Sequence, residues 1–237
     1  MNRKSILVSG VAGLLACSLL AQTAPPQERR YGFRPEALEV EPHLAERAGA
    51  LAATLGFDSW PRPAERYGAP AVGRALFDEP ARFAEEVRSC TTLRFRQEPW
   101  DHCVSSWKPR GEGRERSAPD SLDLEITVTP DARAAQEFLL TALADNMMDM
   151  ATLVKTYGEA QKPAGLGDVA FLVESRDGQD VRLSFTRANL VLRLRGYGAL
   201  SDEVVPLARR LDERILNQQP LTLEQLRARQ AKPRPPG

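Results

Sequence analysis

The stretch that decides the fold is DVAFLVESRDGQDVRLSFTRANLVLRLRGYGALSDEVVPLARRLDERIL, residues 168–216. Val169, Phe171 and Val173 alternate with other residues, and Val181, Leu183 and Phe185 alternate with Arg182, Ser184 and Thr186. After Ala188-Asn189 the pattern resumes as Leu190, Leu192 and Leu194 against Val191, Arg193 and Arg195. A period of two puts the apolar set on one face and the arginines on the other, so one face meets a core and the other meets water. Asp177-Gly178 between the first two runs is a hairpin signal, expected as a type I′ turn with φ > 0 at both central positions. Ser201 reads as an N-cap with Asp202 and Glu203 behind it, and Val204, Leu207, Ala208, Leu211 and Ile215 recur at helical spacing. Pro206 sits late for a first turn, so the helix is expected to begin a residue or two beyond Ser201. The unit is β-β-β-α.

Working upstream, a second unit of the same order emerges. Leu122, Leu124, Ile126 and Val128 alternate with Asp123, Glu125 and Thr127, which is a half-buried strand. Thr129-Pro130 then caps the longest helix, expected to run to about Tyr157 with Leu140, Leu143, Met147, Met150, Val154 and Tyr157 as its stripe. Before them, Thr91–Gln97 and Asp101–Trp107 are expected as short strands around Glu98-Pro99, with an exposed loop over 108–120. Asp78 and Pro80 read as the start of a helix carrying Phe83 and Val87. Another helix is expected from Pro42, with Leu44, Ala48, Leu51 and Leu55 as its stripe and Gly56 as its stop. Between the two, the aromatic and proline residues from Phe57 to Pro70 read as a connector pinned by its rings. The expected class is therefore α+β. A mostly antiparallel sheet is built from two β-β-β-α units with helices packed on one face, preceded by N-terminal helices.

The ends of the chain carry addressing information. Asn2-Arg3-Lys4 followed by the uncharged apolar run Ile6–Ala21 has the form of a secretory signal peptide, too short to span a membrane comfortably. The expected organisation is a signal peptide over 1–21 and a proline-rich linker over 22–42. A single α+β domain follows over 43–217, with its core in 90–217, and then a short helix and disordered tail over 218–237. Thr222-x-x-Gln225 is a capping-box pattern for that helix. Leu14-Leu15-Ala16-Cys17 resembles the lipobox of bacterial lipoproteins, which implies acylation of Cys17; cleavage after Ala21 is the alternative. Either way Cys90 and Cys103 remain as a pair, which in an oxidising compartment forms a disulfide that stabilises by roughly 3 kcal/mol. Taken together, the export signal, lipobox, cysteine pair and strand pattern resemble small bacterial lipoproteins and extracytoplasmic sensor domains.

Composition narrows the function without naming it. The 237 residues carry 32 basic and 32 acidic side chains, so nothing favours nucleic acid as a partner. Gly-x-Ser-x-Gly, His-Glu-x-x-His and Cys-x-x-Cys are absent from the sequence. Asp101-His102-Cys103 cannot converge, because adjacent strand residues point to opposite faces. His43 is the other histidine. Met147, Met148 and Met150 are possible soft ligands for Cu(I), and Asp145 and Asp149 share a helix face, but core packing and solvation are the ordinary uses of such residues. The ligand-binding candidates are Arg182, Arg187, Arg193 and Arg195, expected to crowd the outer face of the C-terminal strands around an anionic ligand or acidic partner. No cofactor is implied. The expectation is an exported, non-catalytic envelope protein binding a partner or small ligand, with membrane contact only through a lipid anchor. The alternatives are a hydrolase with dispersed catalytic residues and periplasmic metal handling through the methionines.

Overall fold

Alternation in sequence becomes register in the sheet. The computed structural model describes residues 42–95, 98–110, 120–153 and 161–231. Its regular elements are α1 (Pro42–Leu55), β1 (Phe83–Phe95), β2 (Glu98–Pro109), β3 (Ser121–Val128), α2 (Ala132–Leu153), β4 (Val169–Glu174), β5 (Asp180–Arg187), β6 (Leu190–Tyr197), α3 (Val204–Leu216) and α4 (Leu223–Gln230). The strands form one sheet in the order β1-β2-β3-β6-β5-β4, with every neighbouring pair antiparallel. Each three-stranded meander is followed by a helix. The two meanders join through their third strands, with Leu124 opposite Leu194 and Ile126 opposite Leu192. The protein is α+β and consists of two β-β-β-α units sharing one sheet.

Directly paired residues of antiparallel strands share a face. Leu122, Leu124, Ile126, Leu192, Leu194, Leu183 and Phe185 therefore line a single face, and each is at most 2% exposed. α3 lies against this leucine face through Val204, Leu207, Ala208, Leu211 and Ile215. At one end of the sheet the other face is buried as well, through Thr127, Thr186 and Val191. There Phe171, which shares its face with Ser184, packs on Trp60 at 5.9 Å between ring centroids. α2 crosses β5 and β6, packs on α1, and sends the Gln136 amide to the Pro61 carbonyl at 2.6 Å. Alternation alone places the helices on one face; burial of both parities at this end divides them, α3 on the leucine face and α2 with α1 on the other. For the same reason Val169 and Phe171 of β4 lie with Thr186 and Ser184, while Ala170 and Leu172 lie with Phe185 and Leu183.

Several local expectations hold. α1 stops at Leu55 with Gly56 left-handed at φ 72°, and Phe57, Trp60 and Tyr67 are buried anchors of the connector. α3 begins at Val204 after a 3-10 turn over Gly198–Glu203, so Pro206 falls inside the first turn, although the N-cap is Glu203 and not the expected Ser201, which lies within the 3-10 turn. Three others change. The helix expected after Asp78 is a single 3-10 turn, Pro80–Arg82, and the chain from Phe83 onwards is strand. Phe83 and Val87 are four apart, a spacing that period two satisfies as well as period 3.6. The strand reading prevails because β2 pairs with this segment from Phe83 to Phe95. β2 likewise runs through Glu98 and Pro99. The Asp177-Gly178 turn has a positive φ at Gly178 alone. Gly178 N–H donates to the Ser175 carbonyl and the Asp177 carboxylate accepts from Ser175 Oγ and Gln179 N–H. This is the longer loop closed by a left-handed glycine rather than a two-residue type I′ turn.

The capping box forms in full at α4: Thr222 Oγ1 accepts from Gln225 N–H, and the Gln225 side chain accepts from Thr222 N–H. Thr222→Ala is expected to cost about 1 kcal/mol. The effect should be confined to α4 and read as faster amide exchange over Leu223–Gln230. Loss of protection in β3 or β6 would show that the cap holds more than its own helix.

Candidate functional site

Beyond the part covered by α2, the face opposite the leucines carries the polar side chains of four strands. Arg182 of β5 and Arg195 of β6 sit directly opposite each other, an arrangement of like charges that is unfavourable on its own. Asp180 resolves it. Its carboxylate, 7% exposed, accepts from Arg182 at 3.0 Å and from Arg195 at 2.8 Å. One step along, Arg193 reaches the Glu125 carboxylate of β3 at 2.9 Å. Asp123 stands opposite Arg195 and accepts from Ser106 Oγ of β2. His102 shares a hydrogen bond with Thr127 at 3.0 Å. Burial lowers its pKa, Glu125 opposes that shift and Arg193 adds to it, so the imidazole is neutral at pH 7.

The result is a ladder of alternating charge running from β2 to β5. Three arginines share this half-face with three carboxylates, two of which they bind directly, and the ladder has no net charge to draw in a free anion. What it offers instead is a set of partly solvated, oriented donors and acceptors suited to a surface that carries both signs. Arg195 is exposed, at 48%, and Glu125 is half-buried, at 34%.

Arg187 is not part of it. In β5 it shares parity with Leu183 and Phe185, so it lies on the leucine face, apart from Arg182, Arg193 and Arg195. There it makes a two-pronged contact with Asp212 of α3, at 2.7 and 2.6 Å, and reaches Asp168 at 3.0 Å. Asp168 also accepts from the Ala188 N–H, and Asp212 accepts from the Gly167 N–H. Ala188 has φ 49°, a left-handed conformation for a non-glycine residue, in the two-residue turn between β5 and β6. Asn189 beside it is fully buried and its amide binds Tyr67 N–H, Tyr67 carbonyl and Thr129 carbonyl. This cluster ties the start of β4, the β5–β6 turn and α3 together. Burial pushes the Asp168 carboxyl up against the opposing pull of Ala188 and Arg187, while Asp212 holds the Arg187 guanidinium firmly protonated.

Cys90 and Cys103 are directly paired across β1 and β2, with Cα atoms 4.1 Å apart, and are joined as a disulfide. His102 faces away from the Cys103 side chain, as strand alternation requires. His43 is exposed on α1. Cys17 and the other residues of the expected signal peptide lie outside the described residues, as do the side chains of Met147, Met148, Met150, Asp145 and Asp149. Among the described residues no group of three or more His, Cys, Asp or Glu side chains has the arrangement of a metal site. No described helix is long and apolar enough to cross a membrane. Fold and site together define a class only: an α+β protein whose single antiparallel sheet carries a charge-balanced ladder on one half-face. No family model, curated protein or solved structure matches the chain.

Proposed function

We propose that this is an exported, non-catalytic envelope protein that uses the polar ladder to bind a partner protein carrying charges of both signs. The ladder carries this reading. Its arginines and carboxylates are oriented by one another, so a partner meets fixed donors and acceptors and loses little entropy in ordering them. The cysteine pair, bonded across β1 and β2, supports an oxidising compartment. The basic start and apolar run of the first twenty-one residues support export, with acylation at Cys17 as the lipoprotein form of the same reading. A hydrolase is disfavoured at His102, which has the Thr127 hydroxyl beside it. Thr127, near the end of β3, is 4% exposed, which keeps a substrate from its oxygen.

The test has two arms. Fractionation of native cells with intact-mass measurement should find either a diacylated chain starting at Cys17 in the membrane or a soluble chain starting near Gln22. A chain retaining Met1 in the cytoplasm with reduced cysteines would sink the proposal. In the second arm, Arg193→Ser with Arg195→Ser should weaken partner capture by at least about tenfold, the low end for interfacial charges whose partners are left behind. Unchanged capture would move the interface off the ladder.

A further inference from the structure

The disulfide sits at a boundary in the sheet. β2 is paired on both sides only from His102 to Trp107, where β3 runs alongside it. Past His102 the partners Thr92–Asp101, Leu93–Trp100, Arg94–Pro99 and Phe95–Glu98 form, among the described residues, a two-stranded ribbon with no third strand. β2 is anchored there independently, because Trp100 is 1% exposed and α4 lies beside the strand. β1 is the sheet edge, and among the described residues it pairs with no strand besides β2. Its first residue, Phe83, is buried and stacked on Phe77 at 4.0 Å. Arg88 to Thr92 are all exposed. The cross-link therefore stands one residue pair from the point where the three-stranded sheet gives way to the ribbon. A two-stranded ribbon is marginal in water by itself. The other edge is handled differently: β4 is bridged by Gln161, which exchanges two backbone hydrogen bonds with Leu172.

We propose that Cys90–Cys103 is a reversible thiol–disulfide exchange site that latches the outer half of β1, residues 91–95, onto β2. Cys90 is exposed and Cys103 half-buried, so an incoming thiolate meets the Cys90 sulfur first. A dithiol of small-molecule or thioredoxin-like class supplies the electrons. Its first thiolate forms a mixed disulfide with Cys90 Sγ and expels Cys103 as thiolate, which takes up a proton. Its second thiolate then attacks the mixed disulfide, leaves as an oxidised disulfide, and releases Cys90. The protein has gained two protons and two electrons, and the dithiol has lost them. Without the cross-link, closing the ribbon loses an advantage on the order of a hundredfold, the loop-closure estimate for so short a loop. Opening would expose the backbone edge of β2 facing β1, which is a template for strand addition by a partner. The latch does not depend on the ladder being the binding surface.

The experiment uses the full-length mature protein in low-millimolar dithiothreitol at neutral pH without denaturant, read by alkylation mass and by amide hydrogen exchange. The expected result is reduction of the pair and exchange at least about tenfold faster over residues 91–95, with β3, β5 and β6 unchanged and protection restored on reoxidation. A disulfide that stays closed until denaturant is added overturns the proposal, and so does reduction that leaves exchange over 91–95 unaltered. Brief exposure to glutathione identifies the attacked sulfur: a mixed disulfide at Cys90 is expected, and one at Cys103 overturns the assignment. Cys90→Ser with Cys103→Ser should show the open exchange pattern and no response to reductant. Should that variant fail to fold, the reduction of the native protein decides alone.

Discussion

Arg187→Met is expected to lower the stability of this protein by about 3–5 kcal/mol, the usual cost of removing one partner from a buried ion pair. Arg187 is 17% exposed in its side chain, and the Asp168 and Asp212 side chains are 10% and 6% exposed. Methionine fills the stem volume but leaves two carboxylates facing each other with no cation between them. For a chain of this size the melting temperature should fall by roughly 10 °C. Arg187→Lys should recover only part of the loss, because a single ammonium cannot reproduce the two parallel bonds to Asp212. The two carboxylates are not equivalent. Burial raises the Asp168 carboxyl above 3.8, so between 3.8 and its native value the folded protein holds more protons than the unfolded chain. Stability from this group is therefore greatest below 3.8 and falls as pH climbs through the raised native value. Asp168→Asn removes the disfavoured charge yet keeps an oxygen for the Ala188 N–H. It should cost less than about 1 kcal/mol at pH 7 and flatten the stability slope on the acid side. Urea unfolding across that range checks both. An Arg187→Met loss under about 1 kcal/mol, or an Asp168→Asn loss equal to it, would show that Arg187 is not what holds the two carboxylates in place.

Arg187 also marks how far the sequence can be read. It follows Val181, Leu183 and Phe185 at steps of two, so period two itself places it on the apolar face, away from Arg182, Arg193 and Arg195. Grouping the arginines by proximity in sequence discards that phase. Its partner was legible too: Asp212 falls four after Ala208 and three before Ile215, on the buried stripe of α3, where a charge requires a counterion. The C-terminal unit could be read because its contacts are local, with hairpins and a helix returning onto the strands just made. The ladder could not, because Glu125 meets Arg193 only through the pairing of β3 with β6, sixty-eight residues apart. The segment from Asp78 to Cys90 failed for a related reason. Its strand character depends on β2 and on the packing of Phe77 against Phe83 and Trp107, none of which a local period reports. The cysteine pair could be read despite its separation, because only Cys90 and Cys103 remain once Cys17 is set aside, and the expectation of export gives such a pair one ordinary fate.

Gly196→Ala should be the most damaging single-atom addition to the sheet, costing about 3 kcal/mol, the upper part of the range for overpacking. Gly196 lies in β6 opposite Leu122 and Val181, on the leucine face. A Cβ there would stand 2.5 Å from the Leu200 carbonyl oxygen, 2.6 Å from Val204 Cγ2 and 2.9 Å from Ser201 Cα. Two of those three are backbone atoms, so no rotamer change relieves them. The 3-10 turn that carries them is held from both sides: Gly198 N–H donates to the Gln179 carbonyl at 2.8 Å, and Ala199 N–H donates to Asp120 at 3.0 Å. Relief therefore requires the turn and the start of α3 to lift together. Gly73→Ala is the matched control. Its φ of 170° is extended backbone and its Cβ would meet nothing within 4 Å, so it should be neutral or stabilising by about 0.5 kcal/mol. Lifting α3 also draws Asp212 away from Arg187, which links this substitution to the first. The Gly196→Ala, Arg187→Met double variant should lose less than the sum of the two single losses, by more than about 0.5 kcal/mol. Strict additivity would mean that α3 absorbs the extra methyl by bending locally and that its two ends are seated on the sheet independently.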